Sequence, residues 1–167
     1  MKSLSIKLCL ILFLYYNFSS AQNYISQLNK VKNLEPIEVN SDKIHKAYFA
    51  SGCFWCVEAI YESLKGVMEV NSGYSGGFTD NPTYKLVNTE TTGHAETIEV
   101  IYNPKIINFS ELVDVYFGSQ NIEQINGQGP DNGSQYRSII FFQNEQEMTI
   151  AKNKILYLKK EFSLKVA

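Results

Sequence analysis

Two cysteines three residues apart, in Gly52-Cys53-Phe54-Trp55-Cys56, are the side chains of this sequence best suited to chemistry. The thiolate is the reactive form of cysteine, and a helix N-terminus favours it through exposed N–H groups and the macrodipole. If a helix begins just after Cys53, that residue is the natural nucleophile. Cys56, one turn further on, is close enough to attack an oxidised Cys53 and close a disulfide. The pair also fits thioredoxin-like disulfide exchange, a redox-sensing or zinc-binding module, or two small buried side chains. Zinc would have to recruit His45 and His94, which stand 49 residues apart rather than at the close spacing of a second ligand pair. No metal is expected on that spacing.

Glu96 is the second candidate. The stretch from His94 to Tyr102 alternates and puts Glu96, Ile98, Val100 and Tyr102 on one face of a strand. A carboxyl aimed at apolar surroundings is desolvated, so its pKa rises and it suits a general acid near neutral pH. An exposed acid at a strand end is the alternative. His94 reads as structural. Most of the eleven tyrosines must be ordinary core or interface residues. Tyr84, in Asn81-Pro82-Thr83-Tyr84, and Tyr136, in Gly133-Ser134-Gln135-Tyr136-Arg137, stand beside turn signals and become candidates by loop placement.

The elements that must position these groups follow from periodicity. Residues 44–51 read as a strand that Gly52 breaks, and Val57, Ile60, Tyr61 and Leu64 then fall at helical spacing. Cys53 is thereby expected where a strand turns into a helix. A second strand covers 67–71 and runs into Gly73-Tyr74-Ser75-Gly76-Gly77. Asn81-Pro82-Thr83 opens a short helix with proline in its first turn. Ser110 caps a helix over 111–117, 127–133 is a loop, and 136–142 is a strand. Asn144 and Glu147 resemble a capping box, and Met148, Ala151, Ile155, Leu158 and Phe162 form a core stripe on the last helix. The interleaving predicts an α+β fold, a single-domain two-layer α/β sandwich with a mixed sheet.

Length and composition agree with one folded unit. A chain of 167 residues with 44% hydrophobic and 13% aromatic content builds one core. A net charge of −2 offers no basic footprint for nucleic acid. Lys2, Lys7, the apolar run 8–14 and Ser19-Ser20-Ala21 predict a signal peptide over 1–21, with 22–43 as a leader and the domain over 44–167. Export to the periplasm or the extracellular space follows, without stable membrane insertion once the signal is cut. Cleavage removes Cys9, Lys2 and Lys7, leaving 13 basic against 17 acidic residues and only Cys53 and Cys56 as thiols. Both lie in one Cys-x-x-Cys, so they form a local redox pair rather than a disulfide framework.

Gly52-Cys53-Phe54-Trp55 resembles the signature of the A-type peptide methionine sulfoxide reductases. It is followed in that family's order by Gly73-Tyr74-Ser75-Gly76-Gly77, Asn81-Pro82-Thr83-Tyr84, Gly93-His94-Ala95-Glu96, Gln128-Gly129-Pro130-Asp131 and Gly133-Ser134-Gln135-Tyr136-Arg137-Ser138. The likeness covers residues 44–160. It implies that Cys53 attacks the sulfoxide sulfur, that Glu96 donates a proton to the oxygen, and that Tyr84 and Tyr136 hold that oxygen. Phe54 and Trp55 would cage the substrate methyl group, and Asp131 would position the substrate. The substrate implied is the S epimer of methionine sulfoxide, free or within oxidised proteins. A thioredoxin-like reductant, no cofactor and a monomer are expected.

The chain departs from the family's pattern in three places. Many relatives have glycine where Cys56 stands and resolve with later cysteines, and no cysteine follows Cys56 here. That leaves the resolving step to Cys56 or to an external thiol. Gln120-Asn121-Ile122 stands where a His-Asp-Pro motif is usual, and Gly127 replaces a common arginine. The domain also ends, at Ala167, before the C-terminal segment most relatives possess.

Overall fold

In a computed structural model of the chain, the structure describes residues 44–166. The expected signal peptide and leader, residues 1–43, lie outside the described residues. A four-stranded sheet carries strands β1 (His45–Ala50), β2 (Val67–Ser75), β3 (Ala95–Tyr102) and β6 (Ile139–Phe141) in the order β2-β3-β1-β6. Every neighbouring pair in it is antiparallel, in place of the mixed sheet expected from sequence. Alternation within a strand reports which face is buried, and it does not report the direction of the partner. Helices α1 (Phe54–Glu62), α2 (Tyr84–Val87), α3 (Phe109–Gly118) and α4 (Glu145–Phe162) complete the α+β class. No helix among the described residues is long and apolar enough to cross a membrane.

One face of the sheet makes the core. Phe49, Ile98 and Val100 from the strands meet Phe54, Val57 and Tyr61 of α1 and Phe109, Leu112, Val113 and Tyr116 of α3. Phe49 is at the centre, with its ring 5.3 Å from Tyr61, 6.0 Å from Phe109 and 5.6 Å from Tyr116. Full burial of such a side chain contributes about 1.5–3 kcal/mol. The buried phenols are also satisfied: Tyr61 donates to the Leu112 carbonyl at 3.0 Å and Tyr116 to the Ala50 carbonyl at 3.2 Å. The second of these bonds ties α3 to the end of β1, three residues before Cys53. The opposite face is polar, with Glu99 accepting from Lys46 and Tyr48, each at 2.8 Å.

Several local expectations shift. The β2 strand continues to Ser75, because Gly73, Tyr74 and Ser75 pair with Thr97, Glu96 and Ala95. Pro82 precedes the cap of α2 instead of entering its first turn; Thr83 is the cap. Asn108, not Ser110, caps α3, in a full capping box with Glu111. Residues expected as a loop form a two-stranded hairpin, β4 (Gly127–Gln128) with β5 (Asp131–Asn132). Ser134–Tyr136 is a 3-10 turn, so β6 starts later than the pattern suggested. Asn144 caps α4 by accepting from the Glu147 N–H at 2.9 Å, while the Glu147 carboxylate accepts from the Gln143 N–H at 2.8 Å. Only Ala151 of the expected apolar stripe on α4 is buried. Met148 and Ile155 instead line a cavity of about 200 Å³ on the side of α4 facing Tyr116 and Ile140.

Candidate active site

The turn from β1 into α1 is made by Gly52, whose φ of +85° lies in the region glycine favours. A Cβ there would stand 2.5 Å from Cβ of Gln128. Gln128 cannot yield easily. Its Oε1 accepts from the Asn121 N–H at 2.7 Å, and its Nε2 donates to Gln120 Oε1 at 3.2 Å and to the Asn121 carbonyl at 3.1 Å. The Gln120-Asn121 pair, which departs from the family's pattern, therefore clasps the residue that packs under the nucleophile turn. Gly52→Ala is expected to cost about 1–3 kcal/mol of stability, read as a lower denaturant midpoint at unchanged slope.

Cys53 occupies the N-cap of α1 without a side-chain capping bond, and its carbonyl accepts from the N–H groups of Cys56 and Val57 at 3.1 and 3.2 Å. Both cysteines are free thiols, Cys53 half-buried and Cys56 exposed. The helix begins at Phe54, so Cys56 lies in its first turn, three residues from Cys53. The neighbouring Cys53 side chain is the first cause that holds the Cys56 thiol above its ordinary pKa. Desolvation and the carboxylates of Asp131 and Glu96 add to the effect. The raised pKa favours the protonated form of Cys56.

Glu96 is 2% exposed. Its Oε2 accepts the Phe54 N–H at 3.0 Å, so the carboxyl sits at the first peptide group after Cys53. Burial pushes the Glu96 pKa up, the Phe54 N–H pulls it down, and the charge of Asp131 raises it again; the net direction is upward. Desolvation outweighs the one hydrogen bond to the charged form.

The aromatic candidates gather on the same side. Phe54 is buried, whereas Trp55 is 61% and Tyr84 46% exposed. The Trp55 ring lies 5.2 Å from Phe54 and stacks on Tyr84 at 5.8 Å and 19°. Burial first, then the charges of Glu96, Tyr84 and Asp131, raises the pKa of Tyr136. The β4–β5 hairpin pairs Asp131 directly with Gln128, the residue packed on Gly52. All eight residues singled out from sequence, Cys53, Phe54, Trp55, Cys56, Tyr84, Glu96, Asp131 and Tyr136, therefore converge on the start of α1. The two histidines do not join them. His45 packs its ring edge-on against Tyr102 at 5.9 Å. His94 accepts the Gly77 N–H at Nδ1 (3.2 Å), and its Nε2 faces the Thr79 carbonyl at 2.9 Å, which assigns the neutral Nε2–H tautomer.

Four further residues shape the site and were not reached from sequence. Tyr74 lies across from Glu96 in the β2–β3 register and packs on Phe54 at 5.6 Å. Arg137 donates to the carbonyls of Ser134 (2.7 Å) and Gly93 (2.8 Å), and Glu90 accepts the Ser134 N–H at 3.1 Å. Together they fasten the turn bearing Tyr136 to the loop that leads into Glu96. Gln128 supports Gly52. Tyr74, Gln128 and Arg137 fall within the motif stretches already quoted, a signal for their position but not their partners; nothing local marks Glu90.

Comparison with known proteins agrees with this geometry. The family model described as peptide methionine sulfoxide reductase matches residues 45–167. The peptide methionine sulfoxide reductase MsrA of Pasteurella multocida is 45% identical over 72% of this chain and 70% of its own length. That of Acidobacterium capsulatum is 50% identical over 64% of this chain and 69% of its own. Among solved structures, reduced Mxr1 from Saccharomyces cerevisiae superposes with a TM-score of 0.70 at 31% identity, covering 75% of this chain and 74% of that one. The same yeast protein has also been solved in complex with Trx2. A half-buried cysteine at a helix start, a buried carboxyl bonded to the next peptide N–H and a family match over the whole described domain lead to one conclusion: the chain belongs to the peptide methionine sulfoxide reductase family, a family of oxidoreductases.

Proposed function

We propose that this chain reduces the S epimer of methionine sulfoxide, free or in oxidised proteins, with Cys53 as nucleophile. The observation that carries the reading is the buried Glu96 carboxyl at the first N–H of α1, beside Cys53. In the proposed reaction the Cys53 thiolate attacks the sulfoxide sulfur while Glu96 gives its proton to the oxygen. The attack joins Cys53 Sγ to the substrate sulfur. The sulfur–oxygen bond then breaks as the protonated oxygen passes to Cys53 Sγ, and the new sulfur–sulfur bond breaks with it. Methionine leaves with its sulfur reduced by two electrons, while Cys53 is oxidised to a sulfenic acid. The oxygen gains charge as its bond to sulfur breaks. A neutral carboxyl and the hydroxyls of Tyr84 and Tyr136 are donors of the type that stabilises such charge. Phe54 and Trp55 offer an apolar surface to the methyl group and exclude water, and Asp131 positions the rest of the substrate.

The recycling step is proposed for Cys56. Its thiol attacks the sulfenic sulfur, releasing water and closing a Cys53–Cys56 disulfide, which a thioredoxin-like dithiol protein then reduces. Support comes from the place of Cys56 in the first turn of α1, three residues from Cys53 at its N-cap. The export signature over residues 1–21 extends the proposal to a compartment outside the cytoplasm.

Purified protein with dithiothreitol, given the separated S and R epimers, tests the activity. Turnover of the S epimer alone is the expected result, and no S turnover by folded protein overturns the proposal. Cys56→Ser is expected to keep one methionine formed per enzyme in a single turnover and to lose about tenfold or more in steady-state rate with a thioredoxin-type reductant. Equal steady-state rates in variant and wild type would remove Cys56 from the cycle.

A further inference from the structure

Tyr74 has a place in the site but no role in the reaction as proposed. It is paired directly with Glu96 in the β2–β3 register. Directly opposed residues of an antiparallel pair project to the same face with Cβ atoms about 4.5–5.5 Å apart. That face is the one from which Glu96 reaches the Phe54 N–H. The Tyr74 ring lies 5.6 Å from the Phe54 ring at 43°, so it bridges the carboxyl and the start of α1.

The strand carrying Tyr74 is at the edge of the sheet, in the order β2-β3-β1-β6. Among the described residues no further strand pairs with β2 on that side. The same-face neighbours of Tyr74 on its own strand are two residues away. On one side that is Ser72, whose hydroxyl is turned to Glu58 of α1, and on the other the strand has ended at Ser75, with Gly76 following it. Tyr74 is therefore the one large side chain at the end of β2 that can cover Glu96, which is 2% exposed while Tyr74 is half-buried. The phenol's own pKa is raised, by burial first and then by the charges of Glu96, Tyr84 and Tyr136, which agrees with a hydroxyl at the rim of that group.

We infer that Tyr74 is a positioning residue whose ring keeps water off Glu96 from the edge-strand side and so holds the carboxyl in its proton-donating form. The inference rests on the reading of Glu96 as the proton donor. The other groups that act on or feel Glu96 are Cys56 and the Phe54 N–H on α1, Asp131 on β5 and Tyr136 in the 3-10 turn, with Cys53 next to Phe54 and Tyr84 of α2 next to Tyr136. A substitution at Tyr74 removes none of these groups. A change in the titration of Glu96 then reports the missing cover.

The test is kcat/KM for S-methionine sulfoxide with dithiothreitol across about pH 5–9 in wild type, Tyr74→Phe, Tyr74→Ala and Glu96→Gln. Tyr74→Phe keeps the ring and is expected to keep the alkaline limb where wild type has it. Tyr74→Ala admits water and is expected to move that limb down by about one pH unit, a loss of about tenfold on the alkaline side that recovers as pH falls. If Tyr74→Ala does not fold, Tyr74→Thr, a good strand former, replaces it. An unmoved limb in the folded small-side-chain variant overturns the inference, and so does an equal shift in Tyr74→Phe, which would put the effect on the hydroxyl. A limb that survives in the residual activity of Glu96→Gln overturns the proton-donor reading together with the inference. A limb absent from Glu96→Gln yet unmoved in the small-side-chain variant overturns the inference alone.

Discussion

Cys53→Ser is expected to lower kcat/KM for S-methionine sulfoxide by at least about a thousandfold while leaving the protein as stable as wild type or more so. The two halves have separate causes. A serine hydroxyl at neutral pH is a far weaker nucleophile than a thiolate and cannot form the oxidised sulfur species the cycle requires. Stability moves the other way because Cys53 is an N-cap residue that makes no capping bond. Serine is among the favoured N-cap residues, and a good cap is worth about 0.5–2 kcal/mol relative to a residue that cannot cap. Kinetics on the separated epimers together with a denaturant melt check both halves. Activity within tenfold of wild type would displace Cys53 as nucleophile, and a large loss of stability would show that its thiol has a packing role.

Glu96→Gln is expected to cost about 10²–10⁴ in kcat, the range over which a positioned acid contributes. Glutamine preserves shape, and its amide oxygen can still accept the Phe54 N–H that Glu96 accepts at 3.0 Å. It has no acidic proton to give. In wild type the rate should fall as pH rises through the elevated Glu96 pKa, because only the protonated carboxyl donates. Stability supplies a second readout. A carboxyl whose folded pKa is raised lets the folded state bind more protons than the unfolded state. Its contribution is therefore complete below the ordinary carboxylate pKa and is lost as pH rises through the raised value. Glu96→Gln removes this dependence, so its melting temperature should gain on wild type from acidic to neutral pH. Parallel stability curves for the two proteins would show that Glu96 is not held in its neutral form.

Part of the site was legible without coordinates because its chemistry is local. Gly52 followed by helical spacing from Val57 marks a strand-to-helix turn, and that puts Cys53 at a helix start and Cys56 one turn away. Alternation from Glu96 to Tyr102 buries the carboxyl by the same logic, and the structure leaves it 2% exposed. The α+β class follows from interleaved strands and helices. Such readings need only the period of one element or the offset between near neighbours.

What remained hidden depends on pairing between distant segments. The sheet is antiparallel throughout, since strand direction is set by connections across the fold and leaves no mark on the strand's own alternation. Asn108 rather than Ser110 caps α3, because both can cap and the register of the helix against Phe49 decides between them. Tyr74 carries no local sign that it faces Glu96; that needs the β2–β3 register to bring residues 74 and 96 opposite. Gln128 likewise meets Gly52 only once the β4–β5 hairpin has formed and Asn121 has clasped its amide. The sequence by itself determined which atoms can react, because nucleophilicity and proton affinity belong to side chains and to the elements they start or end. Only the tertiary structure decided what surrounds those atoms. Burial is a sum over neighbours that the fold brings from far along the chain, and that sum raises the Glu96 pKa against the pull of the Phe54 N–H.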